Sequence, residues 1–140
     1  MPFLLLLISL FSQSNPKHPS PEKPNLKVDV QNVRVQKGAV HIGLYRACAD
    51  FPNCEPVELI IIDAKGKPIQ AAFSVDPGEY AVAVYHDENG NGKMDKRVFG
   101  IPKEPYGFSN DFRPTLSAPK FSDCRFKVGN EGKTIRVKLN

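Results

Sequence analysis

The sequence lacks any apolar stripe of helical length with the 3.6-residue period of an α-helix, which excludes a helical fold. Catalytic motifs are missing as well, since there is no serine elbow, no H-E-x-x-H motif and no glycine-rich phosphate loop after a strand. No RNA-binding aromatic motif is present and the net charge of +4 is modest, so we expect no nucleic-acid partner. These absences favour a non-enzymatic protein.

Cysteine is scarce, with three in the chain. Cys48 and Cys54 have no companion His or Cys pair, so they make a poor zinc motif. We expect a disulfide bond between them, which would contribute about 2 kcal/mol through the entropy of the short loop. Cys124 shares the alternation of Phe126 and Val128 and is predicted to be a buried, inert thiol on a strand. A disulfide from Cys124 to Cys48 or Cys54 is the alternative.

The beginning of the chain has the features of an export signal. Residues 1–11 read MPFLLLLISLF, which is shorter than the roughly 20 residues that span a bilayer but suits the apolar part of a signal peptide. Ser12 and Ser14 fit the small-residue rule for cleavage before Asn15. We therefore expect residues 1–14 to be a signal peptide and the protein to be exported, either periplasmic, at the cell surface or secreted. Because no basic residue precedes the apolar run, a hydrophobic first strand is the alternative.

Residues 15–25 contain four prolines and almost no apolar side chains, so they are predicted to form an extended tether. The remaining residues, 26–140, have enough apolar material for a single domain. Their apolar residues alternate with period two, and glycine- and proline-containing turns separate the alternating segments. The predicted strands are Leu26–Val35, Ala39–Arg46, Val57–Ile62, Ile69–Val75, Tyr80–His86, Ser122–Val128 and Thr134–Leu139.

About seven short strands with regular turns predict an all-β fold, a single antiparallel β-sandwich. A long loop follows the fifth strand, because the roughly 34 residues from Asp87 to Lys120 have no strand character. Its apolar and aromatic side chains predict that the loop is ordered and packs onto the sandwich. These side chains are Phe99, Ile101, Tyr106, Phe108 and Phe112.

The start of this loop, DENGNGKMD, has the spacing of a calcium loop. Ca²⁺ takes six to eight oxygen ligands, and alternate residues of a tight loop can direct their oxygens to one point. The ladder is formed by Asp87, Asn89, Asn91 and Asp95 at positions 1, 3, 5 and 9, with a glycine at position 6. Lys93, at position 7, would contribute its backbone carbonyl.

An EF-hand has a bidentate Glu at position 12, where this chain has Val98. The ladder therefore fits a shorter D-x-[DN]-x-[DN]-G-x-x-D loop that takes a further carboxylate from elsewhere, with Glu104 and Asp111 as candidates. We expect Ca²⁺ as the cofactor, bound weakly with a Kd of roughly 0.1–1 mM. The alternative is a metal-free turn, because Asn-Gly pairs favour type I′ turns without any ion.

The segment YAVAVYHDENGNGKMD followed by FGIPKEPYGFSN, residues 80–95 and 99–110, resembles the uncharacterised bacterial family called domain of unknown function 2141. The resemblance covers nearly all of the predicted domain. It implies a short exported protein with an immunoglobulin-like or transthyretin-like sandwich, and Asp76-Pro77-Gly78-Glu79-Tyr80 is similar to the turn of such modules. No activity is implied. The cysteines depart from the usual pattern.

We therefore expect a monomeric binding or structural module that contacts a cell-surface polysaccharide, a lipid headgroup or a protein partner. One alternative is a surface-adhering protein, in which the last two strands form a hairpin and expose a basic stripe to anionic polysaccharide or lipid. The stripe comprises Arg125, Lys127, Arg136 and Lys138. Another alternative is a hydrolase-type enzyme that uses His86 and Glu104, although neighbours on a strand point to opposite faces. His41 is interpreted as an ordinary strand residue.

Overall fold

The structure is a computed structural model that describes residues 23–66, 68–92 and 104–140. These residues form eight strands, a short 3-10 turn at Ser109–Asp111 and a one-turn helix, α1, at Phe121–Cys124. The strands are β1 (Leu26–Gln31), β2 (Ala39–Tyr45), β3 (Glu58–Asp63), β4 (Ile69–Phe73), β5 (Gly78–Asp87), β6 (Tyr106–Phe108), β7 (Phe126–Val128) and β8 (Lys133–Lys138).

The strands form two sheets, which confirms the predicted β-sandwich. The smaller sheet has the order β4-β1-β8, and the larger has the order β3-β2-β5-β6. Strand β7 also pairs with β5, on residues Gly78–Tyr80, while β6 pairs with Ala83–Tyr85. Strand β1 pairs antiparallel with β4 but parallel with β8. The sequence predicts a wholly antiparallel sandwich, and the parallel pair of β1 and β8 departs from that prediction. Local alternation does not encode the direction of a distant partner strand.

One apolar core fills the space between the sheets. Alternate residues of each strand point to the same face, so a strand with one buried face reads apolar, polar, apolar, as in β1 and β4. The buried core comprises Leu26, Val28, Val30, Val40, Ile42, Leu44, Ala64, Ile69, Ala71, Phe73, Val75, Tyr80, Val82, Val84, Phe126, Val128, Val137 and Leu139.

Two turns at the ends of the strands are tied to the sheets by side chains. The Tyr80 hydroxyl donates a 2.7 Å hydrogen bond to the Asp76 carbonyl, an arrangement similar to the tyrosine corner of immunoglobulin-like domains. The Asn25 side chain donates to the Val75 carbonyl at 2.8 Å and accepts from the Val75 amide at 2.9 Å. Asn25, the last residue of the predicted tether, is thus joined to the sandwich.

Two sequence predictions about elements were wrong. The segment Ser122–Val128 is not one strand, because its first half belongs to α1, where the Asp123 carboxylate accepts a 2.9 Å hydrogen bond from the Lys120 amide. The long loop does contain a strand, since β6 pairs with β5. Three residues are too few to show a period of two. Phe99 and Ile101 lie outside the described residues, as do residues 1–22.

Candidate functional site

The Asp87 carboxylate lies at the centre of the candidate calcium loop. Asp87 is the last residue of β5 and is 2% exposed. Its Oδ1 accepts a hydrogen bond from the Asn91 amide at 3.2 Å, and its Oδ2 accepts one from the Gly92 amide at 2.7 Å. Gly90 and Gly92 have φ of 71° and 76°, a left-handed conformation that glycine adopts without steric cost. The two Asn-Gly pairs therefore turn the chain back around the carboxylate.

A second buried carboxylate comes from the far end of the long loop. Glu104 is 6% exposed, and its Oε2 accepts a 3.1 Å hydrogen bond from the amide of Glu88, the residue after Asp87. The Asn89 side-chain oxygen accepts a 3.1 Å hydrogen bond from the Asn91 amide. The Asn89 amide oxygen and the carboxylates of Asp87 and Glu104, all from the predicted ligand set, thus lie at this loop.

Two other predicted ligands, Lys93 and Asp95, lie outside the described residues. Within the described ranges, no group of three or more His, Cys, Asp or Glu side chains is arranged to hold a metal ion. Ca²⁺ also binds amide and backbone carbonyl oxygens, which are ligand types outside that class. A carboxylate has about four lone-pair sites, and within the described residues Asp87 uses two of them, for the amides of Asn91 and Gly92.

His41, interpreted from sequence as an ordinary strand residue, is also part of this site. His41 is opposite Tyr85 across the β2–β5 pair, and the two rings stack with centroids 4.5 Å apart. The His41 Nε2 lies 3.7 Å from the Asp87 Oδ2, and the Nδ1 lies 3.1 Å from the Tyr85 hydroxyl, which is also 3.3 Å from the Gly92 carbonyl. The cluster depends on the pairing of β2 with β5. No feature of the sequence specifies that pairing.

Burial dominates the electrostatics of the cluster. It lowers the pKa of His41 by disfavouring the charged imidazole, while the Asp87 carboxylate acts in the opposite direction. The pKa of the Tyr85 hydroxyl is raised, first by burial and then by the negative charges of Asp87 and Glu104. Both effects favour neutral rings beside the carboxylates.

The structure gives His86 and Glu104, the residues of the hydrolase alternative, different partners. His86 is completely buried, and its Nε2 lies 2.6 Å from the Lys37 carbonyl oxygen. Its Nδ1 has no hydrogen-bond partner among the residues that the structure describes, and it lies 3.8 Å from the Glu88 Oε1. Glu104 binds the Glu88 amide. In this conformation the His86 ring has no surface for contact with a substrate.

The sulfur atoms of Cys48 and Cys54 lie at bonding distance, with their Cα atoms 6.6 Å apart, as the sequence predicted. Cys124 is a free, buried cysteine, but the reason given from sequence was wrong. It lies at the end of α1 and packs with Phe51 and Phe108 in a second apolar cluster, rather than beside Phe126 and Val128 in the main core. Burial and the charge of Asp123 raise the pKa of its thiol to about 12.

The hairpin on which the basic stripe depends is not formed. Strand β7 pairs with β5 and β8 pairs with β1, so the last two strands belong to different sheets. All four basic residues are exposed, but Arg125 and Lys127 lie at the end of α1 and on β7, whereas Arg136 and Lys138 lie on β8 in the other sheet. Sequence alternation reveals which face a side chain occupies, but not the neighbour of its strand.

No helix within the described ranges has the length and apolar character needed to cross a membrane. Searches of curated proteins and of solved structures found no match. A family model does match residues 28–136, which is most of the chain and includes the loop at Asp87. The protein therefore belongs to the family described as an uncharacterized protein conserved in bacteria (DUF2141).

Proposed function

We propose that this protein is an exported, non-enzymatic binding or structural module whose loop from Asp87 to Asp95 binds Ca²⁺. The observation that carries the proposal is the burial of the Asp87 carboxylate at the start of an oxygen ladder. A buried negative charge is costly unless a cation or several donors compensate it. The amides of Asn91 and Gly92 provide part of that compensation, and Ca²⁺ would provide the rest.

The position of Glu104 supports the same proposal. The loop between the ladder and β6 returns this carboxylate to the residue that follows Asp87. Two nearly buried carboxylates at one loop repel each other, and a divalent cation between them would reverse that repulsion. Asp95, at position 9 of the ladder, would add a third negative charge.

A metal-free turn also accounts for the two amide hydrogen bonds of Asp87, but it predicts a different effect of calcium on stability. If the carboxylate serves only to hold the turn, calcium has no effect on stability. If the loop binds Ca²⁺ in the folded state alone, the free energy of unfolding rises by RT ln(1 + [Ca²⁺]/Kd), or about 2.7 kcal/mol at 100 times the Kd. Thermal melting and calorimetric titration in millimolar CaCl₂ distinguish the two.

Export is part of the proposal because of the apolar run in residues 1–11 and the proline-rich segment that follows it. A weak calcium site is useful only where free calcium is plentiful, and the Kd of roughly 0.1–1 mM is typical of extracellular modules. The proposed location and the proposed cofactor are therefore consistent with each other.

A further inference from the structure

Strand β3 lies at the edge of the larger sheet. In the described part of the chain it pairs with β2 alone, so its other side presents backbone amides and carbonyls to solvent. Natural edge strands are usually protected from pairing by lysine, proline or a bulge. The sequence of β3, ELIIID, contains no basic residue and no proline. Acidic residues stand only at its two ends.

The outer face of β3 is apolar and exposed. Val57, Leu59 and Ile61 alternate along the chain and therefore point to the same side, with exposed fractions of 52%, 49% and 55%. They make up three of the five large hydrophobic side chains that are exposed within the described ranges. The inward side chains of β3, Ile60 and Ile62, are partly buried against the main core.

A strand that is apolar on both faces is typical of the centre of a sheet, where both faces are covered. The side chains of any strand added to β3 would lie beside Leu59 and Ile61 on one face and beside Ile60 and Ile62 on the other. Such a strand must itself be apolar on both faces. Strand β3 meets this requirement, because its four consecutive residues 59–62 are all aliphatic.

We propose that the protein forms a two-fold symmetric dimer in which β3 pairs antiparallel with β3 of a second copy. A two-fold axis perpendicular to the sheet keeps the outer faces of both copies on one side and makes the contact self-complementary. With the axis at Ile60, Leu59 of each copy lies opposite Ile61 of the other. The exposed aliphatic side chains of the two copies then form one continuous patch.

Residue pairing within β3 favours this register over its neighbours. With the axis at Ile60, Leu59, Ile60 and Ile61 each lie opposite an aliphatic residue of the other copy. A shift of the axis to Leu59 would set Glu58 opposite Ile60, in the middle of the aliphatic run. A shift to Ile61 would set Asp63 opposite Leu59, so that Leu59 and Ile61 would no longer lie opposite each other. The dimer differs from the monomer expected from sequence, because alternation does not reveal that β3 is an edge strand.

Sedimentation equilibrium of the full chain tests the proposal. The wild-type protein is expected to show twice the chain mass, with dissociation on dilution. Leu59→Lys/Ile61→Lys is expected to remain monomeric, because like charges then face each other across the axis. Leu116→Lys is the matched control, since Leu116 is fully exposed and lies outside β3. It should associate as the wild type does.

A charge-swapped variant tests the register itself. In Leu59→Lys/Ile61→Glu, each Lys lies opposite a Glu of the second copy, so this variant should associate more tightly than the double-lysine variant. Circular dichroism checks that both are folded, and Ile61→Thr replaces the double-lysine variant if that one is not. A wild-type protein that stays monomeric at every concentration would overturn the dimer. Equal association of the wild type and the folded β3 variant would overturn the contact through β3.

Discussion

The Ser109 hydroxyl donates a 2.5 Å hydrogen bond to the carbonyl oxygen of Cys124. The Ser109 Oγ also accepts a 2.9 Å hydrogen bond from the amide of Val82. Val82 lies in β5 between Gly78–Tyr80, which pair with β7, and Ala83–Tyr85, which pair with β6. Ser109 thus lies beside the part of β5 that pairs with neither β6 nor β7. Its side chain joins three segments of the chain, namely β5, the 3-10 turn and the end of α1.

We predict that Ser109→Ala destabilises the protein by about 1–3 kcal/mol, because the Val82 amide and the Cys124 carbonyl lose their buried partner. The midpoint of urea unfolding measures the change. Ser122→Ala is the matched control, since Ser122 is exposed in α1 and its loss should change stability by no more than about 0.5 kcal/mol. Equal midpoints for the two variants would show that the Ser109 contacts contribute nothing.

Gly107 allows the long loop to lie against β8. A Cβ atom at this position would be 2.6 Å from the Lys138 carbonyl oxygen and 2.9 Å from a methyl group of Val137. Because the oxygen belongs to the backbone, β6 or β8 would have to move. We predict that Gly107→Ala lowers stability by about 1–3 kcal/mol, as overpacking does elsewhere.

Gly129→Ala is the control for that substitution, because a Cβ atom there would have no neighbour within 4 Å. Thermal melting of both variants makes the comparison. Gly129→Ala should leave the melting temperature nearly unchanged or raise it slightly, since alanine reduces the freedom of the unfolded chain. If Gly107→Ala melts with the wild type, the close approach to Lys138 is not a packing constraint.

The long strands could be predicted from sequence because alternation repeats often enough to be recognised. Strands β1 to β5 and β8 each have at least five residues, and all were predicted, although β1 ends at Gln31 and not at Val35. Strand β6 and helix α1 have three and four residues, so neither shows a period. They are defined by contacts with β5 and by the Asp123 cap, which are tertiary or very local features.

The candidate site was predictable only where its residues are adjacent in sequence. Asp87 and the two Asn-Gly pairs form a local motif, and Glu104 could be proposed as the next acidic residue downstream. His41 could not, because it reaches Asp87 through the register of β2 on β5. The same limit applies to the basic residues and to the edge position of β3, since the partner of each strand is set by the whole fold.

The cysteines give a prediction about chemical reactivity. Peptide mapping of the protein without reduction should recover Cys48 joined to Cys54 and Cys124 as a free thiol. With a pKa of about 12, the Cys124 thiol is almost entirely protonated at pH 8, and it should not be alkylated by iodoacetamide until the protein is unfolded. Rapid alkylation of the native protein would contradict this assignment. The same mass measurements show whether the mature chain begins at Asn15.

The last prediction separates the structural role of Asp87 from its proposed metal-binding role. Asp87→Ala removes the acceptor for the amides of Asn91 and Gly92, so we expect a lower melting temperature even without calcium. If the carboxylate also binds Ca²⁺, the variant should lose the upward shift that millimolar calcium gives the wild type. Glu88→Ala is the matched control, because Glu88 occupies a non-liganding position of the ladder, and it should retain that shift.

Asn91→Asp should tighten calcium binding, because it adds a negative charge at position 5 of the ladder and leaves the backbone amide of residue 91 in place. Magnesium should stabilise the protein much less than calcium, since it requires a tighter octahedron and gives up its water reluctantly. Calorimetric titration and melting curves measure both effects. If calcium moves neither the wild-type curve nor that of Asn91→Asp, Asp87 acts only as the acceptor that holds a double Asn-Gly turn.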